Sequence, residues 1–172
     1  MKVVSSYGVE IKKQNIPIRH TLHIYRQAVG YLIRVYEESW EELSRIVNLQ
    51  KRFNAAEHLV HSTKKNRARY DFDQRFPKMP SYLRRSAIQH ALGSVSSYET
   101  RLELWKQKKL DGKPKLVYEN HAMPVFYRDV MYKEAEDQAD IAFLKLYDGR
   151  DWKWFPVNLL HTDMEYLRKN WA

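Results

Sequence analysis

The chain has 172 residues, which is enough for one domain of ordinary size or two small ones. Hydrophobic residues make up 44% of it and aromatic residues 13%, so it can bury a core. Its 30 Lys and Arg exceed its 21 Asp and Glu, and the formal net charge of +9 favours a polyanionic partner. The absence of Cys excludes disulfides, thiol catalysis and thiolate zinc sites.

The apolar residues are spread along the chain. No run approaches the roughly 20 apolar residues that span a bilayer. The opening segment contains no signal-peptide core. We therefore expect a cytoplasmic protein with no membrane partner.

Near the start of the chain, the spacing of the apolar residues changes at about Pro17. Residues 2–12 alternate between two faces, which predicts a strand with one buried side. From Pro17 to Val47 apolar residues recur every three or four positions, which predicts one long amphipathic helix. A shorter helix is expected over residues 50–62.

A basic loop over residues 64–69 comes next, and residues 70–79 show no clear period. Pro80 and Ser81 then open a second long helix that carries an apolar side as far as Trp105. We expect Asp111-Gly112 to stop this helix.

After Gly112 the pattern is typical of strands. Asp148-Gly149 between two alternating runs is a strong hairpin signal. Thr162 and Asp163 are expected to cap a terminal helix that reaches Lys169. The predicted strands are residues 125–131, 141–147 and 152–157, with an acidic connection over residues 134–140.

The order of strand, helices and strands indicates that a helical region is inserted into a β-module. We predict an α+β fold with two parts. A discontinuous antiparallel β-barrel, similar to an OB fold, would comprise residues 1–14 and 111–172. The inserted helical lobe would comprise residues 15–110.

Three stretches, together with this order, resemble the TnpB family of transposon-encoded RNA-guided nucleases, which is related to type V CRISPR effectors. They are PSYLRRSAIQHALGSVSSY at residues 80–98, MPVFY at residues 123–127 and LYDGRDWKW at residues 146–154. The resemblance is to the wedge domain and the recognition lobe. In that family a RuvC-like nuclease domain follows, and its acidic metal ligands have no counterpart here.

The resemblance implies recognition without catalysis. It implies guide-type RNA and double-stranded DNA as partners, no enzymatic activity, no metal and no other cofactor. By position, Arg85 and Gln89 would reach base edges from one face of the second long helix. Arg84 and Lys106 would then contact phosphates. An exposed polar face on a bundle helix is the simpler alternative for these residues.

Further basic residues are candidate nucleic-acid contacts. The loop mixes cations with Tyr70 and Phe72, a combination typical of single-stranded RNA binding, although a solvated loop is the simpler alternative. Lysines after the second long helix lie at the predicted lobe–barrel junction, where they also complement the helix dipole. These candidates are Lys64, Lys65, Arg67 and Arg69 in the loop, Lys106, Lys108, Lys109, Lys113 and Lys115 at the junction, and Arg128 on a strand.

A protein-interaction module is the alternative function. The predicted barrel lacks its last strands, so its open aromatic edge could pair with a second copy or with a separate nuclease-bearing chain.

The histidine pairs His20/His23 and His58/His61 have helical spacing but no third ligand nearby, so we expect no metal site.

Overall fold

A computed structural model describes residues 9–12 and 15–169. This part of the chain contains six helices and three strands. The helices are α1 (Ile18–Glu38), α2 (Trp40–Ser44), α3 (Leu49–Val60), α4 (Phe72–Arg75), α5 (Ser81–Lys106) and α6 (His161–Lys169), and the strands are β1 (Tyr132–Glu134), β2 (Ile141–Tyr147) and β3 (Trp152–Asn158).

The chain divides into two compact units. The helical unit is Arg19–Val125, and the sheet unit combines Met1–Ile18 with Phe126–Ala172. The second boundary follows residue 125, whereas we placed it after residue 110. Residues 111–125 therefore belong to the helical unit.

The first long helix is shorter than predicted. α1 buries Tyr25, Leu32 and Tyr36 on its apolar face, as the period indicates. It ends at Glu38 because Ser39 leaves the helical region, at φ −98° and ψ 8°. Serine is unfavourable inside helices, and the prediction of one continuous helix as far as Val47 is wrong.

Side-chain caps set the starts of the next two helices. The Asn48 side chain accepts a hydrogen bond from the backbone N–H of Lys51 at 2.9 Å and begins α3. Asp71 accepts one from Gln74 at 2.9 Å and begins α4, a single turn too short to show a period. The prediction of a long helix from Ser81 is confirmed by α5, which ends at Lys106, before the predicted stop at Asp111-Gly112.

The hairpin prediction is also confirmed. β2 and β3 pair antiparallel, with Tyr147 opposite Trp152, and Gly149 takes a positive φ of 101° in the turn. Asp148 Oδ1 accepts from the backbone N–H groups of Arg150 (2.9 Å) and Asp151 (2.8 Å). A tight turn therefore fixes the register.

The predicted barrel is wrong. The three strands form an open antiparallel sheet in the order β1-β2-β3. The predicted strand over residues 125–131 is also wrong, because that segment turns at Asp129, where φ is +64°. The short β1 follows the turn instead, with Tyr132 opposite Leu144. A three-residue edge strand offers too little pairing to close a sheet.

The predicted opening strand lies mostly outside the described residues. Within them, Ile11 forms a bridge to Leu159, and the backbone N–H of Lys12 donates to the oxygen of Asn158 at 3.0 Å. This contact occupies one end of the β3 edge. Pro156 lacks a backbone N–H and so cannot donate to a pairing strand, but pairing of this edge with a second chain remains a prediction.

The sheet unit has a small core on one face of the sheet. Alternate residues of β2, including Leu144 and Leu146, point into it. Val157 of β3 and Met164 of α6 complete the same cluster. Helix α6 therefore covers the inner face of the sheet.

Candidate nucleic-acid interface

The charge excess belongs to the helical unit alone. Residues 19–125 contain 20 Lys and Arg against 11 Asp and Glu, which accounts for the full formal charge of +9. Residues 1–18 and 126–172 together contain 10 of each sign. Any electrostatic attraction of a polyanion must therefore act mainly on the helical unit.

The basic loop folds into a tight turn that presents lysines at its tip. Thr63 and Asn66 pair through their backbones, with N–O distances of 2.7 and 3.3 Å. The Asn66 side chain donates to two backbone oxygens at the end of α3, at 2.9 and 3.3 Å. Lys64 and Lys65 lie between the paired residues, and Arg67 follows them. All three are exposed, and no carboxylate of the described residues pairs with them.

The residues after the turn are engaged within the protein. Both terminal nitrogens of Arg69 lie 3.3 Å from Glu42 Oε2. The Tyr70 hydroxyl donates to Glu38 at 3.1 Å, and Phe72 is fully buried. Base stacking on Phe72 is therefore wrong, and the loop offers cations without a free ring.

Arg84 belongs to a structural network. It is 8% exposed, and its terminal nitrogens lie 3.7 Å from Glu57 and 3.5 Å from Asp73. Asp73 also bonds to His61 Nδ1 at 2.7 Å. The predicted phosphate contact at Arg84 is wrong because its guanidinium is buried and paired. The network joins α3, α4 and α5 and fixes the base of the basic loop.

Arg85 and Gln89 lie on the exposed face of α5. The Arg85 guanidinium covers the Phe53 ring at 5.2 Å from the centroid, and its Nε is 4.0 Å from Glu57. Gln89 is exposed one turn further along. The structure therefore leaves both side chains within reach of a ligand, and base reading by them remains a prediction.

The junction lysines begin at the end of α5. Lys106 is 4.0 Å from a carboxylate one turn earlier in the helix, and Lys113 lies over the Trp105 ring at 5.6 Å. Lys109 and Lys115 are exposed, and within the described residues neither has a carboxylate partner. Together they extend the cationic surface beyond the helix.

Arg128 lies in the sheet unit, on the turn before β1. Its Nη2 is 3.1 Å from Glu134 Oε2, and the Tyr132 hydroxyl donates to the other oxygen of the same carboxylate at 3.1 Å. Burial, followed by the charge of Glu134, raises the pKa of Tyr132, so its hydroxyl remains a donor. Arg128 is thus paired inside the neutral unit.

A second cationic feature, which we did not predict from the sequence, lies in the helical unit. A cavity of about 490 Å³ is lined by Arg26 and Arg34 of α1 and by Arg75 of α4. The Arg34 guanidinium lies 5.2 Å from the centroid of the Tyr118 ring, and that of Arg75 lies 5.1 Å from the Tyr31 ring. Within the described residues no carboxylate forms an ion pair with these three arginines.

Gly30 allows one wall of this pocket to approach α1 closely. A Cβ at Gly30 would lie 2.6 Å from the backbone oxygen of Tyr118. The Asn120 side chain donates to the backbone oxygens of Arg26 (3.1 Å) and Tyr118 (3.2 Å). The Tyr118 hydroxyl donates to Glu37 at 2.6 Å, which raises the pKa of Tyr118. These contacts hold the wall in place.

The sequence contains a partial signal for this pocket. Arg26, Gly30 and Arg34 are spaced i, i+4 and i+8, so they share one helix face. A glycine inside a helix also indicates close approach of another chain segment. Arg75 has no such signal, because tertiary folding alone brings it there.

The outer face of the sheet carries lysines above aromatic rings. Lys133 Nζ lies 4.8 Å from the ring centroid of Trp154 and 5.5 Å from that of Phe143, and Lys145 Nζ lies 5.9 Å from Trp154. These ammonium groups cover ring faces on which bases would stack. Trp152 lies two residues before Trp154 on the same face, where it packs against the Tyr147 ring at 5.4 Å between centroids and is 8% exposed.

Among the described residues, no group of three or more His, Asp or Glu side chains is arranged to hold a metal ion. None of the helices in this part of the chain has an apolar stretch long enough to reach across a bilayer.

A family model, the Aq_aa04 family, matches residues 5–148. The chain belongs to the Aq_aa04 family. The Aq_aa04 match spans the helical unit with β1 and β2, so it includes every candidate contact residue. No curated protein and no solved structure matches the chain. The Aq_aa04 family name indicates no activity.

Proposed function

We propose that this chain is a nucleic-acid-binding recognition protein that holds RNA through its helical unit, with no catalytic step of its own. The observation that carries the proposal is the confinement of the whole charge excess to residues 19–125. Phosphate neutralisation and counterion release give such a surface its affinity.

The basic loop is the best-defined contact in this proposal. Lys64, Lys65 and Arg67 are exposed and unneutralised, and the Thr63–Asn66 pairing already orders the turn that presents them. A preordered turn loses less conformational entropy when a ligand binds. The loop lacks a free ring, so we expect it to contact phosphates with little preference for base sequence.

In this proposal the exposed face of α5 supplies the side chains that read bases. An arginine held over a ring keeps its hydrogen-bonding edge available, as Arg85 does over Phe53. Gln89 adds amide donors and acceptors on the same face. The finer assignment, guide-type RNA together with a short DNA motif as in TnpB proteins, remains part of the proposal.

The test removes the three loop charges together as Lys64→Gln, Lys65→Gln and Arg67→Gln. Binding of a short fluorescent RNA and of a duplex DNA is measured by anisotropy at fixed salt. We expect RNA affinity to fall about tenfold or more, since three phosphate contacts are lost.

The matched control removes three charges from the sheet unit as Arg150→Gln, Arg168→Gln and Lys169→Gln. Both variants have the same net charge, so a nonspecific effect would weaken them equally. We expect the control to bind RNA within about twofold of the parent protein. Equal losses in the two variants, or no RNA binding by the parent protein, would overturn the proposal.

A further inference from the structure

We infer that the pocket on α1 is a nucleotide-binding site, in which arginines hold a phosphate and aromatic and guanidinium planes hold the base. This inference does not rest on the proposed function, because its residues differ from those of the basic loop. It names a ligand class for a cavity that lies wholly within the helical unit.

The cavity carries an excess of positive charge. Arg26, Arg34 and Arg75 line one cavity, and among the described residues no carboxylate forms an ion pair with them. The acidic residue that lines the cavity, Glu119, is exposed and makes no ion pair with a described residue. Like charges gathered at one site repel each other, and a bound anion relieves that repulsion. A phosphate is therefore a fitting occupant.

Two of the arginines are partly preorganised. The guanidinium of Arg34 lies over the Tyr118 ring and that of Arg75 over the Tyr31 ring, which restrains both side chains and leaves their N–H edges available. Arginine bonds phosphate oxygens through two parallel N–H groups, and restrained side chains favour this geometry. Arg26 is held as well, because its Nε donates to the backbone oxygen of Ala122 at 3.2 Å.

Aromatic rings suited to a base also line the cavity. Tyr31 and Tyr118 are partly exposed there, whereas Phe76 is buried and supports the Tyr31 ring edge to face at 5.8 Å between centroids. Bases stack on aromatic rings and on arginine planes. The volume of about 490 Å³ lies within the usual range for small-ligand sites. Gln27 adds an amide for the polar edge of a base.

The experiment uses the full chain and titrates it with adenosine monophosphate, adenosine and inorganic phosphate by calorimetry. We expect the monophosphate to bind about tenfold more tightly than either part alone, because both groups contribute. Arg34→Gln and Arg75→Gln should each weaken that binding about tenfold. Arg34→Lys keeps the charge but loses the planar fork, and it should weaken binding as well.

The matched control is Arg101→Gln, which removes one exposed charge from α5 outside the cavity. It should leave nucleotide binding unchanged. Thermal unfolding of every variant shows whether a loss of binding reflects a loss of fold. If Arg34→Gln unfolds, nucleotide binding by the Arg34→Lys variant still tests the role of Arg34.

A second arm separates the two sources of a nucleotide. Binding of the monophosphate that depends on Arg34 and Arg75 indicates a free nucleotide. Weak monophosphate binding together with binding of a short single-stranded RNA that depends on the same two residues indicates one nucleotide of a bound strand. If neither ligand depends on Arg34 and Arg75, the inference is overturned. The basic-loop variant leaves these residues intact, so either proposal can fail alone.

Discussion

Gly30 is the residue whose small size most directly shapes the pocket. It sits inside α1, where glycine is less favourable than alanine by about 1 kcal/mol. The structure explains its presence, because the backbone of Tyr118 crosses the helix at this position. The 2.6 Å separation from a built Cβ leaves no room for any other side chain.

We expect Gly30→Ala to destabilise the protein by about 1–2 kcal/mol, since overpacking outweighs the gain in helix propensity. It should also weaken nucleotide binding. The control is Gly93→Ala in α5, where nothing lies within 4 Å of an added Cβ. That variant should gain about 0.5–1 kcal/mol. Urea unfolding measures both, and equal stabilisation of the two variants would contradict the structure.

Neighbouring arginines show what sequence reasoning can and cannot assign at this scale. Arg84 and Arg85 are adjacent, yet one is buried in an ion-pair network and the other is exposed. The apolar spacing of α5 accounts for this difference in burial, because Arg84 lies on the same buried helix face as Ile88 and Ala91. The partners of Arg84 come from α3 and from Asp73, and no local pattern predicts them.

At the scale of elements, the hairpin of β2 and β3 depends on the Asp148 side chain. Its Oδ2 lies 2.6 Å from Lys153 Nζ, and its Oδ1 accepts two backbone N–H groups in the turn. The hydrogen bond from Lys153, together with those from the backbone of Asp151 and Arg150, holds the pKa of Asp148 well below its ordinary value.

This lowered pKa predicts a pH-dependent contribution to stability. A carboxyl group with a lower pKa in the folded state stabilises that state above its unfolded pKa of about 3.9, and the contribution disappears as pH falls. Asp148→Ala should therefore lower the Tm most near neutral pH and progressively less below about pH 4.

The control for this variant is Asp137→Ala, because Asp137 is an exposed residue in the acidic connection. It should leave the Tm unchanged across the same pH range. A Tm deficit for Asp148→Ala that stays constant into strong acid would show that the turn does not depend on the ionised carboxylate.

The elements that the sequence predicted share strong local signals. Asp148-Gly149 determines a turn by itself, and α5 has a long apolar period. β1 lacks both, because it has three residues and follows a turn in which Asp129 takes a positive φ. The break at Ser39 and the single turn of α4 are likewise too short for a periodic signal.

For the whole molecule, the important feature is the separation of charge between the units. The helical unit carries the full +9, whereas the sheet unit is balanced. Barrel closure was predicted wrongly because it depends on pairing between distant segments, which strand periodicity does not encode. Charge balance, in contrast, can be counted from the sequence once the unit boundaries are known.

This separation predicts the salt dependence of RNA binding. The logarithm of the association constant should fall linearly with the logarithm of salt concentration, by about 0.7 for each phosphate contact on a single strand. The loop variant should therefore reduce the slope by about 2, and the sheet-unit control should leave it unchanged. A weaker affinity with an unchanged slope would mean that the loop contributes something other than phosphate contacts.

The atom that a side chain at position 30 would meet is a main-chain oxygen, and this limits which substitutions can be accepted during evolution. No exchange at position 118 can create space, because every amino acid there keeps the same carbonyl group. Natural variants of this chain should therefore tolerate changes at position 118 more readily than at position 30, and the two sites should not compensate for each other.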